Sequence, residues 1–246
     1  MTGILQTVAA TRSEIARLLS AILVSRLVIN TAFRMAYAFA PQLSRGLGVD
    51  LQTMGTLITL RSSMGLLAPL FGSLSDRFGR RALMLSGLAL FIVCAVIAFV
   101  SSSLVPFAVG FVGIGLAKVV FEPSAGAMLG DRVPYERRGL VMGISELGWA
   151  SAGLIGGPMV AFAIVTWGWQ SPFALVAVGG VVALVWTSVA IPKQSALQLP
   201  RSVSGRVGAM ALGASFAAIA RHRSAIVMLL AALALVLTAE MIVIAY

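Results

Sequence analysis

Seven runs of mostly apolar residues, near 18–40, 51–74, 82–101, 104–130, 139–166, 172–192 and 224–246, dominate the chain. At 1.5 Å per residue a run of about 20 crosses roughly 30 Å of hydrocarbon, where every backbone N–H and C=O must be bonded within the segment itself. The runs therefore predict an all-α membrane protein. A β-barrel would instead show alternating segments of about 10 residues. The rest of the composition agrees, with 11% charged residues and a mean hydropathy of +1.01. The net charge of +10 does not argue for a nucleic-acid partner, because the cations lie in short connections rather than in one basic domain. The single Cys94 leaves no internal disulfide and no cysteine-rich metal site.

The first run follows Arg12 and Arg17 and ends in the small-residue pattern Ala38-Phe39-Ala40. Arg26 and Arg34 interrupt it and it is long for a signal core, so it reads as a spanning helix. Turn residues separate the runs: Pro41, Gly46 and Gly48 after the first, Pro106 near the start of the fourth, Pro134 after it and Pro192 after the sixth. Of the 18 Lys and Arg residues, 13 fall in the N-terminal segment and in the connections after runs two, four and six, against Arg45 alone in the alternate connections. The positive-inside rule then predicts a multi-pass protein of a bacterial-style inner (plasma) membrane with a cytoplasmic N-terminus. The expected organisation is a six-helix bundle over 1–192, a cytoplasmic linker over 193–223 and a seventh membrane helix over 224–246. One helix of a second bundle suggests a truncated chain whose C-terminal half is missing.

The connection after the second run reads Gly72-Ser-Leu-Ser-Asp-Arg-Phe-Gly-Arg-Arg81. Gly72 removes a side chain where another helix can approach, and Asp76 is suited to accept backbone bonds at a helix N-terminus. Gly79 permits positive φ, while Arg77, Arg80 and Arg81 hold this end against anionic lipid and can pair with Asp76. The connection after run four echoes it, with Asp131-Arg132 and Arg137-Arg138. Two three-helix units inserted in opposite orientations would place both connections on one face.

The order of Gly72, Leu74, Asp76, Arg77, Gly79, Arg80 and Arg81 resembles the G-x-L-x-D-R-x-G-R-R signature loop of the major facilitator superfamily. The resemblance implies two six-helix halves, each of two inverted three-helix repeats, rocking around a central cavity. It also implies a latch against the opposite half through Asp76 and Arg77. Gly153, Gly157 and Pro158 form a G-x-x-x-G-P pattern similar to the helix-five motif of proton-driven exporters. Where paired glycines would follow, this chain has Ala161 and Phe162. The same pattern also suits a plain helix-packing face. The R-x-x-Q-G motif of helix four is absent, with Phe111, Ile114 and Gly115 in its place.

Charges inside the apolar runs are the candidate binding and coupling residues, because each costs about 2.5–3.5 kcal/mol on insertion scales. They are Arg26, Arg34, Arg61, Lys118, Glu122, Glu146 and Glu240. Counted from the expected inner ends, Arg26, Glu122 and Glu146 lie about 10–14 Å deep and Arg34, Arg61 and Lys118 about 19–24 Å deep. The first layer can neutralise itself; the second carries excess positive charge and suits an anionic solute. Arg26 can alternatively reach toward the inner surface, Arg61 can meet an acid of the missing half, and Lys118 can pair with Glu122 at i+4. Asn30 and Arg34, also four apart, offer one polar face with Tyr37 nearby. Glu122 precedes Pro123, whose missing N–H frees a carbonyl one turn earlier. Trp167 and Trp169 fit an interfacial belt, Trp149 and Trp186 packing positions, and His222 a charged cluster with Arg221 and Arg223.

These features predict secondary transport of a small organic solute by alternating access, with proton-coupled efflux leading. The alternatives are an importer or exchanger of an anionic solute, or a truncated membrane protein that does not transport. No G-x-x-x-x-G-K-S/T loop is present, so neither catalytic residues, cofactor nor metal are expected. The expected partners are a small-molecule substrate, a proton or other coupling ion, and the lipid bilayer.

Overall fold

The computed structural model describes residues 12–191; the expected linker, the seventh helix, Glu240 and His222 lie outside the described residues. Within them the secondary structure is helical throughout, in nine α-helices and two short segments of other helical pitch. Six spans are long and apolar enough to cross a membrane. Span one is α1 (Arg12–Ala38), and α2 (Ala40–Leu47) is a short helix after it. Span two joins α3 (Leu51–Ser63) to α4 (Ala68–Phe78); spans three and four are α5 (Arg80–Val100) and α6 (Leu104–Arg132). Span five joins α7 (Tyr135–Ser151) to α8 (Gly157–Trp167), and span six is α9 (Ser171–Ala190).

The spans pack as two interlocked sets of three. Span one meets spans five and six; span four meets spans two and three; and one meets four as three meets six. Exchanging spans 1, 2, 3 for 4, 5, 6 reproduces these pairs, which is the relation expected of two inverted three-helix repeats. Spans three and four approach most closely because glycine stands at the crossing: a Cβ on Gly110 would lie 2.7 Å from Cys94 O, and one on Gly87 3.1 Å from Phe121 N.

Both middle spans of these sets are interrupted just ahead of a proline. In span two a 3₁₀ turn, Met64–Leu67, precedes Pro69; in span five a π-helical turn, Ala152–Gly156, precedes Pro158. Proline donates no N–H and crowds the carbonyl four residues earlier, so the helix changes pitch there instead of breaking.

The two ends of the bundle differ. At one end Arg80 reaches the end of α6, Arg81 donates to Ser188 O at 3.0 Å, and Trp186 donates to Ser20 Oγ at 3.2 Å. At the other, Phe107 packs on Phe111, Phe173 and Trp169, with ring centroids 5.4–5.8 Å apart, and Gln170 donates to Ser101 O at 2.8 Å. Exposed Val93, Val96, Phe99, Val178, Val182 and Val185 give spans three and six an apolar outer face suited to lipid.

Three local expectations change. The Pro41 to Gly48 stretch is a helix, not a turn: Pro41 sits in its first turn, Gly48 closes it at φ 72°, Leu43 is buried and Arg45 exposed. Asp76 lies in the last turn of α4 rather than at a helix N-terminus, and Gly79 is the turn residue, at φ 91°. A Cβ on Gly72 would meet nothing within 4 Å among the described residues, so no close helix approach is found there. Outside the spans, Asp50 caps α3: its carboxylate accepts the Thr53 N–H at 3.3 Å, which holds its pKa below the usual carboxylate value.

Candidate functional site

Spans one, two, four and five bring most of the membrane-level charges to one polar face. Arg26 of α1 is its nearer centre. Its guanidinium donates to Glu122 Oε2 at 2.7 Å, to Glu146 Oε1 at 2.6 Å and to Ser145 Oγ at 3.1 Å. The arginine side chain is 12% exposed, Glu122 23% and Glu146 68%, so one cation stands between a half-buried carboxylate and a solvated one. Close packing secures the approach of span five, since a Cβ on Gly148 would lie 2.7 Å from Arg26 Cβ. Glu122 takes an ion pair from Arg26 across two helices.

One to two turns further along α1, further cations line the same stretch. Lys118 donates to Asn30 Oδ1 at 2.8 Å and its ammonium lies 4.3 Å from the Phe33 ring centre. Arg61 is 1% exposed and donates to Ala32 O at 3.2 Å and Phe33 O at 2.8 Å. It also lies 4.0 Å from the Phe33 and 4.6 Å from the Phe111 ring centre. Among the described residues Arg61 is thus held by backbone carbonyls and aromatic faces. Arg34 lies over Trp149, 4.3 Å from the ring centre, and beside Gly153, where a Cβ would come 3.2 Å from its Nη2. Tyr37 and Ser62 share a hydrogen bond of 3.0 Å at the far edge of this face.

The glycine pattern of span five divides its tasks differently from the expectation. Gly153 faces Arg34, but the tight contact with span one is made by Gly156 against Thr31, while Gly157 has open space around it among the described residues. Ser145, Phe33 and Gly156 were not singled out in the sequence. For Phe33 a signal existed, an aromatic set between Asn30 and Arg34 on a charged helix.

At the basic end, Arg80 joins the two echoing connections. It lies 3.6 Å from Asp76 Oδ1 and pairs with Asp131, and it also donates to Ala127 O. Arg77 lies over the Phe78 ring at 5.5 Å. Asp76 is 55% exposed, which leaves its carboxylate open to a further partner. Among the described residues no cluster of three or more His, Cys, Asp or Glu could hold a metal.

Known proteins match the arrangement. A 34% identical relative over 132 residues is described as an uncharacterized MFS-type transporter, YwfA of Bacillus subtilis; the match covers 52% of this chain and 32% of that protein. The multi-drug resistance efflux pump PmrA of Streptococcus pneumoniae is 31% identical over 157 residues, 60% of this chain and 38% of its own length. A crystal structure of the peptide transporter POT in complex with sulfate superposes at a TM-score of 0.65 and 19% identity, over 84% of this chain and 45% of that one, a likeness of fold alone. The chain thus spans less than half the length of each. The model of the Major Facilitator Superfamily matches residues 22–246, and the chain belongs to that family.

Proposed function

We propose that this chain supplies the first half of a proton-coupled exporter of small organic solutes, working by alternating access. The observation that carries the reading is the Arg26 cluster, two carboxylates on one cation within the polar face of spans one, four and five. Such a cluster carries one negative charge in excess, so it accepts one proton while the arginine keeps an ion-pair partner. A group that takes a proton in one conformation and yields it in the other converts a proton gradient into solute movement. Efflux is favoured over uptake by the glycine-proline pattern of span five and by the resemblance to PmrA. No chemical step is asked of these residues, and the driving force is an ion gradient.

In this reading Asp76 and Arg77 latch the basic end against the second half, and Arg80 holds the two connections of the first half together. Asp76→Asn in the full-length protein should leave insertion and yield near wild type while impairing transport several-fold. The assay is proton movement in everted membrane vesicles, followed by a pH-sensitive dye as candidate solutes are added. Undiminished solute-dependent proton flux in a well-expressed Asp76→Asn protein rejects the latch; absence of such flux in the wild type for every solute tried rejects proton coupling.

The same reading places the basic end in the cytoplasm. In a Cys94→Ala background, a membrane-impermeant thiol reagent applied to whole cells should label Arg45→Cys and spare Arg137→Cys. The reverse pattern inverts the topology.

A further inference from the structure

The two membrane-level carboxylates among the described residues are both taken by Arg26. Arg61 is buried, with two of its nitrogens on carbonyls and its guanidinium against the rings of Phe33, Phe111 and Tyr37. Arg34 is different. It is half-buried on the polar face and makes neither an ion pair nor a hydrogen bond with any described residue; its guanidinium carbon lies 4.3 Å from the Trp149 ring centre. A guanidinium held by an aromatic ring rather than by hydrogen bonds keeps its N–H donors for a carboxylate, which their fork can bind bidentately. Gly153 contributes no side chain at the place where the guanidinium lies, so Arg34 can pack against span five.

A second cation stands within reach. Asn30 is four residues before Arg34 and shares its side of α1, which sets their Cβ atoms about 5–6 Å apart. The Lys118 ammonium is 2.8 Å from Asn30 Oδ1, which stands about one helical turn before Arg34 along α1. Phe33, under Lys118, and Trp149, under Arg34, give the same region aromatic walls. We infer that Arg34, with Lys118 and Trp149, forms the binding site for the carboxylate of an organic anion whose apolar or aromatic body rests against Trp149 and Phe33. The inference rests on the reading that this face lines a solute pathway and names the class of solute that the pathway takes.

Equilibrium binding tests it without any gradient. Purified full-length protein is heated in detergent with three probes of one shape and different charge: benzoate, benzyl alcohol and benzylamine. Benzoate should raise the unfolding midpoint in a saturable way, and the neutral and cationic probes should not. Arg34→Gln should weaken the benzoate response by about tenfold or more, the loss of a charge-assisted bidentate pair. Arg34→Lys keeps the charge but not the fork and should fall between. A response to benzylamine equal to that of benzoate overturns the proposal, as does the absence of a benzoate response, or an undiminished response in Arg34→Gln. If Arg34→Gln folds poorly and Glu240→Gln restores it in the double variant, Arg34 has a protein carboxylate as its partner and the solute site is wrong. Benzoate binding that survives in Glu122→Gln, together with lost proton coupling, separates this site from the coupling reading. Binding in a wild-type protein that moves no protons refutes the coupling and leaves the site.

Discussion

Glu122→Gln in the full-length protein is expected to reduce pH-gradient-driven net transport to the level of empty vesicles while solute exchange across the same membrane continues. The substitution keeps the shape of the side chain and removes its ability to gain and lose a proton. Glu122 is the more sensitive acid of the Arg26 cluster, because its side chain is 23% exposed against 68% for Glu146. Solvent screens the attraction between Glu146 and Arg26, whereas the less exposed Glu122 feels the cation 2.7 Å away more strongly. Movement of span one relative to span four would change that distance and therefore the strength of that attraction. The helix is also prepared for a visiting proton or water, since α6 continues through Pro123 and the carbonyl of Val119 lacks its usual N–H partner. Glu146→Gln should have the smaller effect. The rival account is a fixed ion pair that only secures span one to span four. It predicts that Glu122→Gln lowers folded yield and that Glu122→Gln with Arg26→Gln, which removes the orphaned cation, restores pH-driven transport; that recovery would sink the proton-site reading.

The comparison of this cluster with its sequence shows which physical information a linear chain carries. Rise per residue is fixed, so counting from the helix ends places Arg26, Glu122 and Glu146 at one depth, where they meet. Azimuth across helices is not fixed by sequence, and the i+4 spacing of Lys118 and Glu122 gave no sign that both also reach span one, at Asn30 and Arg26. Span limits were legible because hydrocarbon imposes length and hydrophobicity together. The helix α2 was not, because Pro41, Gly46 and Gly48 read equally as a turn and as the punctuation of a short helix; the burial of Leu43 decides it. The 3₁₀ and π turns of spans two and five leave no periodic trace, although Pro69 and Pro158 mark where they occur. The carbonyl partners of Arg61 were hidden for a different reason: every residue offers a carbonyl, so sequence does not single out Ala32 and Phe33.

That last residue carries the largest expected effect on folding. Arg61→Glu should leave no monodisperse protein in detergent, whereas Arg61→Met should be recovered and melt only modestly below wild type. The Arg61 guanidinium is 1% exposed and faces two carbonyl oxygens and the ring faces of Phe33 and Phe111, all electron-rich. A carboxylate there is repelled by the two carbonyl oxygens and the ring faces in a buried place, which costs several kcal/mol, comparable with the whole stability of many proteins. Methionine loses two charge-assisted hydrogen bonds and the ring contacts, but it also removes the burden of desolvating a charge, and these terms largely offset. The two carbonyls keep their helical N–H partners within α1, so neither is orphaned. Arg61→Lys should rank between these two, since an ammonium is more strongly hydrated and cannot span both carbonyls while stacking on a ring. The readout is size-exclusion profile and melting midpoint for the three variants in parallel. An Arg61→Glu protein with wild-type yield and midpoint would mean that the side chain reaches water, and that span two is not stapled to span one through this residue. If the staple holds, Arg61→Met should also disturb the face beside it, because Phe33 lies under both Arg61 and Lys118.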